Sequence, residues 1–469
     1  MQTGRQAPKR PKYGAEVLPL RSKIENFPAM KVFRHLPVPL QIALANLVLA
    51  AATFATGIIL ARALGPQGRG VYGALFLWAL TTANIFAWGT QMTLAREAAQ
   101  RPERARAVYR AAYRLSIIGG LVGAVAFLAV VVPLTLGDRD YPLWMVLIAS
   151  LIIPFSILNA FQIQIELGRS RFGSYNTVRS LFVAGNVLTV TTLWLVGVRD
   201  AGTFLAVLAA MALGASLSAA WSIRPSLRAL PAGPDVPLGS TLRSSTPIAL
   251  TMLIAGIAQQ SDKLFASALF EPQTIGLYLV AATLAQVQGM AGEALAQMFF
   301  ARGAALANLD AVDRAWLSQR LRQTILLYAG LCVTGLIVLP PLVPLIYGRA
   351  YAGAASLLYV LLPALALQGM NRPFEEFLRG LNRAAVLARM AIVLIVIVAG
   401  FALAARYAGS IGWLPWGVVF GFAVSVLIAA STLARELELP LARLLLPRLS
   451  DAADLWRTVR ALVLARPAE

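Results

Sequence analysis

The sequence predicts an all-α polytopic membrane protein, with about twelve transmembrane helices in two pseudo-symmetric six-helix lobes around a central cavity. Three observations predict it. The first is composition: 58% of the 469 residues are hydrophobic and 13% charged, whereas a soluble domain carries roughly 25% charged residues. The second is a series of apolar runs of about 20 residues, the length a helix needs to cross a bilayer. The third is an internal repeat. Pro66-Gln67, Gly70, Tyr72, Gln91 and Arg96 recur as Pro272-Gln273, Gly276, Tyr278, Gln297 and Arg302, all at an offset of 206. A repeat far longer than any solenoid period, in an apolar chain, points to a transporter built of two bundles.

In chain order, residues 1–38 form a basic, Pro-rich tail without an apolar h-region, so the first span is expected to act as an uncleaved anchor. Six apolar runs follow at 39–61, 71–94, 115–136, 142–165, 178–198 and 201–223, an N-lobe over 39–223. Residues 224–245 hold four prolines and are expected to link the lobes. A C-lobe over 246–434 has runs at 246–270, 275–299, 323–346, 353–378, 386–405 and 412–434. Within it Asn371 and Gly380 repeat Asn159 and Gly168 of the N-lobe. The tail 435–469 alternates Leu-rich patches with Arg and is expected to be a cytoplasmic amphipathic segment on the leaflet.

Charge orients these spans. Of 41 Lys and Arg, 33 fall in the two tails and the loops on the tails' side, six in the opposite loops, and Lys263 and Arg372 within spans. The positive-inside rule then places both termini in the cytoplasm and makes the repeat parallel. The net charge of +20 is spread between apolar runs rather than gathered in one patch, which argues against a nucleic-acid partner. One cysteine, Cys332, and one histidine, His35, leave no internal disulfide, no CxxC metal site and no histidine chemistry in the membrane. No P-loop is present, so ATP hydrolysis is not expected. Neither a cofactor nor a metal is expected.

Polar groups within spans are costly and tend to face a bundle interior or a wet cavity. Thr283, Gln286, Glu293 and Gln297 share one helical face of the eighth span; Thr81, Asn84 and Gln91 form the matching stripe of the second. Asn159, Gln162 and Glu166 line up in the fourth, and Gln368, Arg372 and Glu375 in the tenth. Asn46 in the first span and Asp262 and Lys263 in the seventh complete the candidate set. These stripes read either as the lining of a cavity between the lobes or as hydrogen-bonding glue between helices. Glu293 is a candidate proton acceptor for gradient coupling, and Arg96 and Arg302 are candidate contacts for lipid phosphates at the cytoplasmic mouth. The Pro-Gln-x-x-Gly-x-Tyr turns read as tight connections, with their tyrosines in the interfacial belt.

Ala61-Arg62-Ala63-Leu64-Gly65-Pro66-Gln67-Gly68-Arg69-Gly70-Val71-Tyr72 resembles the first external turn of the polysaccharide (Wzx/O-antigen type) flippases of the multidrug/oligosaccharidyl-lipid/polysaccharide (MOP) exporter superfamily. Asp262 followed by Glu271-Pro272-Gln273-Thr274-Ile275-Gly276-Leu277-Tyr278, and Gly348-Arg349-Ala350-Tyr351, are similar to later turns of that family. The resemblance covers about 36–434. It implies two lobes forming a V and alternating-access transfer of an undecaprenyl-diphosphate oligosaccharide from the inner to the outer leaflet of a bacterial cytoplasmic membrane. It further implies a role in lipopolysaccharide, O-antigen or exopolysaccharide synthesis, a proton or sodium gradient as driving force, and other polysaccharide-assembly membrane proteins as partners. A cation-coupled multidrug exporter of the same superfamily is the alternative. A membrane glycosyltransferase or polymerase fits less well, because the external loops are short and lack histidine.

Overall fold

The computed structural model describes residues 38–137, 141–231, 233–291, 296, 298–300, 302–303, 311–448, 450–454 and 457. Its contacts divide the chain into Met1–Ala51 and Ala52–Glu469, and the packing considered below belongs to the second unit. Among the described residues there is no strand, and ten helices are long and apolar enough to cross a membrane.

The first of these, α1 (Val38–Ala87), contains two of the expected spans. Gly65 interrupts it with φ 64° and ψ 177°, immediately before Pro66. A residue preceding proline is pushed out of the α region, and glycine alone tolerates this positive φ cheaply. Pro66 is then well placed to start the next helix. The second expected run, 71–94, is not continuous. Trp88 and Gly89 both take positive φ, and the chain restarts as α2 (Thr90–Gln100).

Beyond these lie α3 (Ala105–Ala126), a π-turn at Phe127–Val131, and the short α4 (Val132–Leu136). The first half ends with α5 (Leu143–Gly168), α6 (Phe172–Leu195) and α7 (Ala201–Arg228). The second half comprises α8 (Leu238–Leu269), α9 (Pro272–Ala285), α10 (Ala311–Tyr347), α11 (Ala354–Gly380), α12 (Ala384–Tyr407) and α13 (Leu414–Leu437). A short α14 (Leu441–Leu445) follows. Helix therefore occupies both ends of the 224–245 segment, with residues 229–237 between α7 and α8. The eighth expected span, 275–299, includes residues 292–295 and 297, which lie outside the described residues. It is α-helical over α9 and tightens into a 3₁₀ turn at Gln286–Ala291.

The two halves repeat one packing scheme. In the first, α5 is the hub against α2, α3 and α7; in the second, α11 is the hub against α9, α10 and α13. One core cluster is drawn from residues between Leu60 and Ile223, and the other two from the second half plus Ala61. Large apolar side chains such as Leu134, Leu188, Trp221 and Ile337 are exposed, as expected for helices whose outer face meets lipid rather than water. Small residues set the helix separations, the usual device where lipid removes the hydrophobic drive for helix pairing. A Cβ on Gly168 would lie 2.3 Å from the Ala95 carbonyl oxygen, and Gly303 is similarly close to Phe377 and Gly380.

Candidate functional site

The repeated turns meet each other. A Cβ on Gly70 would stand 1.7 Å from the Pro272 carbonyl oxygen, and one on Gly276 would stand 1.9 Å from the Pro66 carbonyl oxygen. Each half thus presents a glycine to the proline carbonyl of the other, a reciprocal contact about the pseudo-twofold axis. Around it Gly73 packs against the Leu279 side chain. The Tyr351 hydroxyl donates to the Ala61 carbonyl at 3.0 Å. Arg62 donates from Nε to the Ile346 carbonyl at 2.6 Å and from Nη2 to the Leu345 carbonyl at 2.7 Å. Those carbonyls belong to the last turn of α10, where helix carbonyls lack intrahelical partners and the dipole favours a cation. Together these contacts seal one end of the join between the halves.

The tyrosines of the two turns are not interfacial anchors. Tyr72 and Tyr278 are both buried, at 6% and 0% exposure. Tyr278 has a polar partner there, donating to Asp262 Oδ2 at 2.9 Å.

Asp262 belongs to a polar cleft within the second half. The α8 helix contributes Gln259, Asp262 and Lys263, α11 contributes Gln368, Arg372 and Glu375, and Gln286 enters from the end of α9. Residues 368, 372 and 375 occupy one helical face by their spacing, which is why all three open into the same space. Lys263 Nζ donates to Gln260 Oε1 at 2.8 Å. Arg372 Nη1 lies 3.6 Å from Glu375 Oε2, while Asn371 Nδ2 donates to Glu375 Oε1 at 2.7 Å and to Ser425 Oγ at 3.3 Å. With Arg379 also in the lining, two acids face three bases and the cleft is formally cationic by one charge. Its two connected chambers enclose about 40 and 10 Å³, space for ordered water or an ion but not for a saccharide. The cleft is a network of hydrogen-bond donors and acceptors.

Of the sequence candidates, Asp262, Lys263, Gln286, Arg372 and Glu375 are brought together here. Those of the first half are elsewhere. Asn84 is exposed, and Gln91 is half-buried with no hydrogen-bond partner for its buried Oε1 among the described residues. Gln162 is fully buried and donates to the Ser216 carbonyl at 3.0 Å, which makes it a bond between α5 and α7. Its stripe mate Glu166, also fully buried, accepts from Tyr109 at 3.0 Å and Arg169 at 2.7 Å. Arg96 is exposed. Arg302 is paired with Asp313 and lies over the Trp316 ring at 5.6 Å. The Asn46 side chain, Glu293 and Gln297 lie outside the described residues.

Sequence reasoning passed over Gln259, Asn371, Ser425 and the clamp of Arg62. Asn371 carried a signal, since it repeats Asn159. Arg62 carried one too, as an arginine beside a Gly-Pro break on the side poor in basic residues.

Comparisons with known proteins agree with this architecture. The family model described as polysaccharide biosynthesis protein matches residues 40–292. The lipid II flippase MurJ, in an inward closed conformation, superposes with a TM-score of 0.69 at 11% identity, covering 92% of this chain and 94% of that one. An inward-facing multidrug resistance MATE family transporter of the MOP superfamily gives 0.67 at 16% identity, covering 84% and 98%. A MOP superfamily transporter from Pyrococcus furiosus, described as having a binding pocket of reverse polarity, gives 0.56 at 14%, covering 86% and 94%. At these identities the likeness is one of fold. No curated protein sequence matches the chain significantly.

Proposed function

This chain belongs to the polysaccharide biosynthesis protein family, and we propose that it is a flippase carrying lipid-linked oligosaccharide of the undecaprenyl-diphosphate type from the inner to the outer leaflet of the cytoplasmic membrane. The observation that carries the proposal is the reciprocal seal, in which the two repeats close one end of their join through Gly70, Gly276 and the Arg62 clamp. Two like bundles closed at one end can exchange that closure for one at the other end, and such an exchange exposes an intervening site to each leaflet in turn. In this reading the N-lobe (39–223) and C-lobe (246–434) rock about the 224–245 segment, both termini are cytoplasmic, and the seal faces outward.

The second-half cleft supplies the polar contacts. Gln286 and Gln368 offer amides to sugar hydroxyls, while Asp262 and Glu375 provide carboxylates to a proton or sodium ion. Lys263, Arg372 and Arg379 outnumber them by one charge and would meet a diphosphate when the cleft widens. Asn46, Asn84, Gln91, Glu293 and Gln297 remain candidate cavity contacts, and Arg96 and Arg302 candidate phosphate contacts at the mouth. The pair of carboxylates also suits a small organic cation, which is why cation efflux belongs in the test.

The test is transport by the purified chain in sealed proteoliposomes loaded with a fluorescent undecaprenyl-diphosphate oligosaccharide, with and without a pH or sodium gradient. Protein-dependent appearance of label in the opposite leaflet supports the proposal. Efflux of a small organic cation with no movement of the lipid would assign the chain to multidrug export instead.

A further inference from the structure

The N-terminal half of α3 carries three arginines, Arg106, Arg110 and Arg114, spaced four residues apart on one face. No neighbouring helix partners them in the hydrogen bonds and ion pairs described; their contacts are with the segment between α7 and α8. Arg106 Nη1 donates to the Leu230 carbonyl at 3.5 Å, and Arg110 Nη2 to the Gly233 carbonyl at 2.8 Å. The Asp235 carboxylate bridges the other two, with Oδ1 2.8 Å from Arg110 Nη2 and Oδ2 2.8 Å from Arg114 Nη1. Two of the three guanidinium groups thus share one carboxylate, while the third meets a backbone carbonyl. The Arg110 Nε is buried with no hydrogen-bond partner among the described residues.

The same stripe continues as apolar surface. Counting along the helix, Ile117, Leu121 and Val125 fall on the face of the three arginines, and they are 60%, 62% and 64% exposed. A guanidinium cluster that runs without interruption into an exposed aliphatic strip matches one kind of ligand. It has an anionic head of several oxygens, suited to forked donors, joined to a hydrocarbon chain that lies along the helix. A free phosphate or diphosphate would use only the first part.

We propose that Arg106, Arg110 and Arg114 bind the phosphate head of a membrane lipid whose chain lies over Ile117, Leu121 and Val125, and that Asp235 is a built-in competitor occupying the head's position. The inter-lobe segment then doubles as a cap. When lipid phosphate displaces the carboxylate, residues 233–235 are released from α3. The inference concerns binding alone and does not depend on whether the chain moves lipid.

The test is equilibrium binding to the full chain in nanodiscs, using a fluorescent polyprenyl diphosphate, fluorescent phosphatidylglycerol and inorganic diphosphate as separate probes. Removing the competitor by Asp235→Asn is expected to tighten lipid binding by about twofold to fivefold, the scale of one partly exposed ion pair. Arg110→Gln with Arg114→Gln is expected to weaken it about tenfold or more and to erase the gain from Asp235→Asn. Leu121→Ser should weaken both lipid probes and leave inorganic diphosphate unchanged. A preference for polyprenyl diphosphate identifies the carrier lipid as the source of the head, and equal binding of phosphatidylglycerol identifies bulk lipid. The proposal is overturned if Asp235→Asn binds lipid as the wild type does, or if the double arginine variant, folded by its thermal transition, does so. Inorganic diphosphate binding as tightly as the lipids would overturn the lipid assignment.

Discussion

Replacing Gly276 by alanine inserts a methyl carbon 1.9 Å from the Pro66 carbonyl oxygen. An ordinary contact begins near 3.4 Å, so the two backbones must part by about 1.5 Å. No rotamer change relieves the clash, because the obstructing atom is a main-chain carbonyl in a Gly-Pro break. Overpacking of this kind costs about 1–3 kcal/mol. If the seal exists only in the state described here, that cost shifts the balance toward the unsealed state by roughly fivefold to 150-fold. The assay is double electron–electron resonance between spin labels at Gln67→Cys and Glu271→Cys, both exposed positions flanking the seal, in a Cys332→Ser background. Wild type should give a short distance, and Gly276→Ala a growing population at longer ones, with Gly70→Ala behaving alike. Gly73→Ala should act more weakly, since its Cβ meets only the mobile end of Leu279. Gly57→Ala, with nothing within 4 Å, is the neutral reference. If Gly276→Ala matched Gly57→Ala in this measurement, the seal would not be a contact that distinguishes states.

Arg62→Ala removes two charge-assisted bonds to the end of α10 and should shift the same distance distribution by about tenfold in population, with Arg62→Lys recovering only part because an ammonium cannot span both carbonyls. Asp262→Asn should reduce gradient-driven transport in proteoliposomes by at least about tenfold, while Tyr278→Phe, which removes one neutral donor, should lower thermal stability by about 1 kcal/mol. At the tail, Arg322 donates to both oxygens of Asp451 at 2.6 and 3.0 Å and to the Arg443 carbonyl at 2.8 Å. These Arg322 hydrogen bonds are the main cause holding the Asp451 carboxyl below the usual carboxylate range. A depressed folded-state value means that the contact stabilises above the unfolded value near pH 4 and is lost as pH falls through the folded one. Limited proteolysis should therefore find the segment 438–448 protected at pH 6 and cut only well below about pH 4. Asp451→Asn, which strands a buried guanidinium, should expose it at pH 6 and cost about 3 kcal/mol.

Much of the architecture is legible in the residues. Hydrophobic runs locate the helices because a bilayer demands length and apolarity, and both are local properties. The offset of 206 between Pro66 and Pro272 announces two like halves before any contact is known. Continuity of a span is less legible. Nothing in the apolar run 71–94 marks the break at Trp88 and Gly89, where the restarted helix α2 brings Thr93 Oγ1 within 2.6 Å of Ser245 Oγ on α8. The eighth span departs for a similar reason, tightening at Gln286 where Gln288 turns into the interior. The polar stripes show the limit most clearly. Spacing places Gln162 and Glu166 on one face as firmly as Gln368 and Arg372, but it does not say what that face meets. One pair meets Ser216 and Tyr109 and bonds helices together, whereas the other opens on a cleft. Tyr278 lies in the interior rather than the interfacial belt for the same reason, since its partner Asp262 lies sixteen positions back on a different helix.

The most direct measurement of the central claim is flipping with the seal covalently locked. Gly73 and Leu279 face each other across the join, the Leu279 Cγ, where a cysteine sulfur would sit, lying 3.7 Å from a Cβ at Gly73, close enough for cysteines at the two positions to be joined with a modest backbone adjustment. In a Gly73→Cys, Leu279→Cys, Cys332→Ser chain reconstituted with a fluorescent undecaprenyl-diphosphate oligosaccharide, oxidation should stop transfer between leaflets and reduction should restore it. Transfer that continues at the reduced rate while the disulfide is fully formed would contradict alternating access through this end.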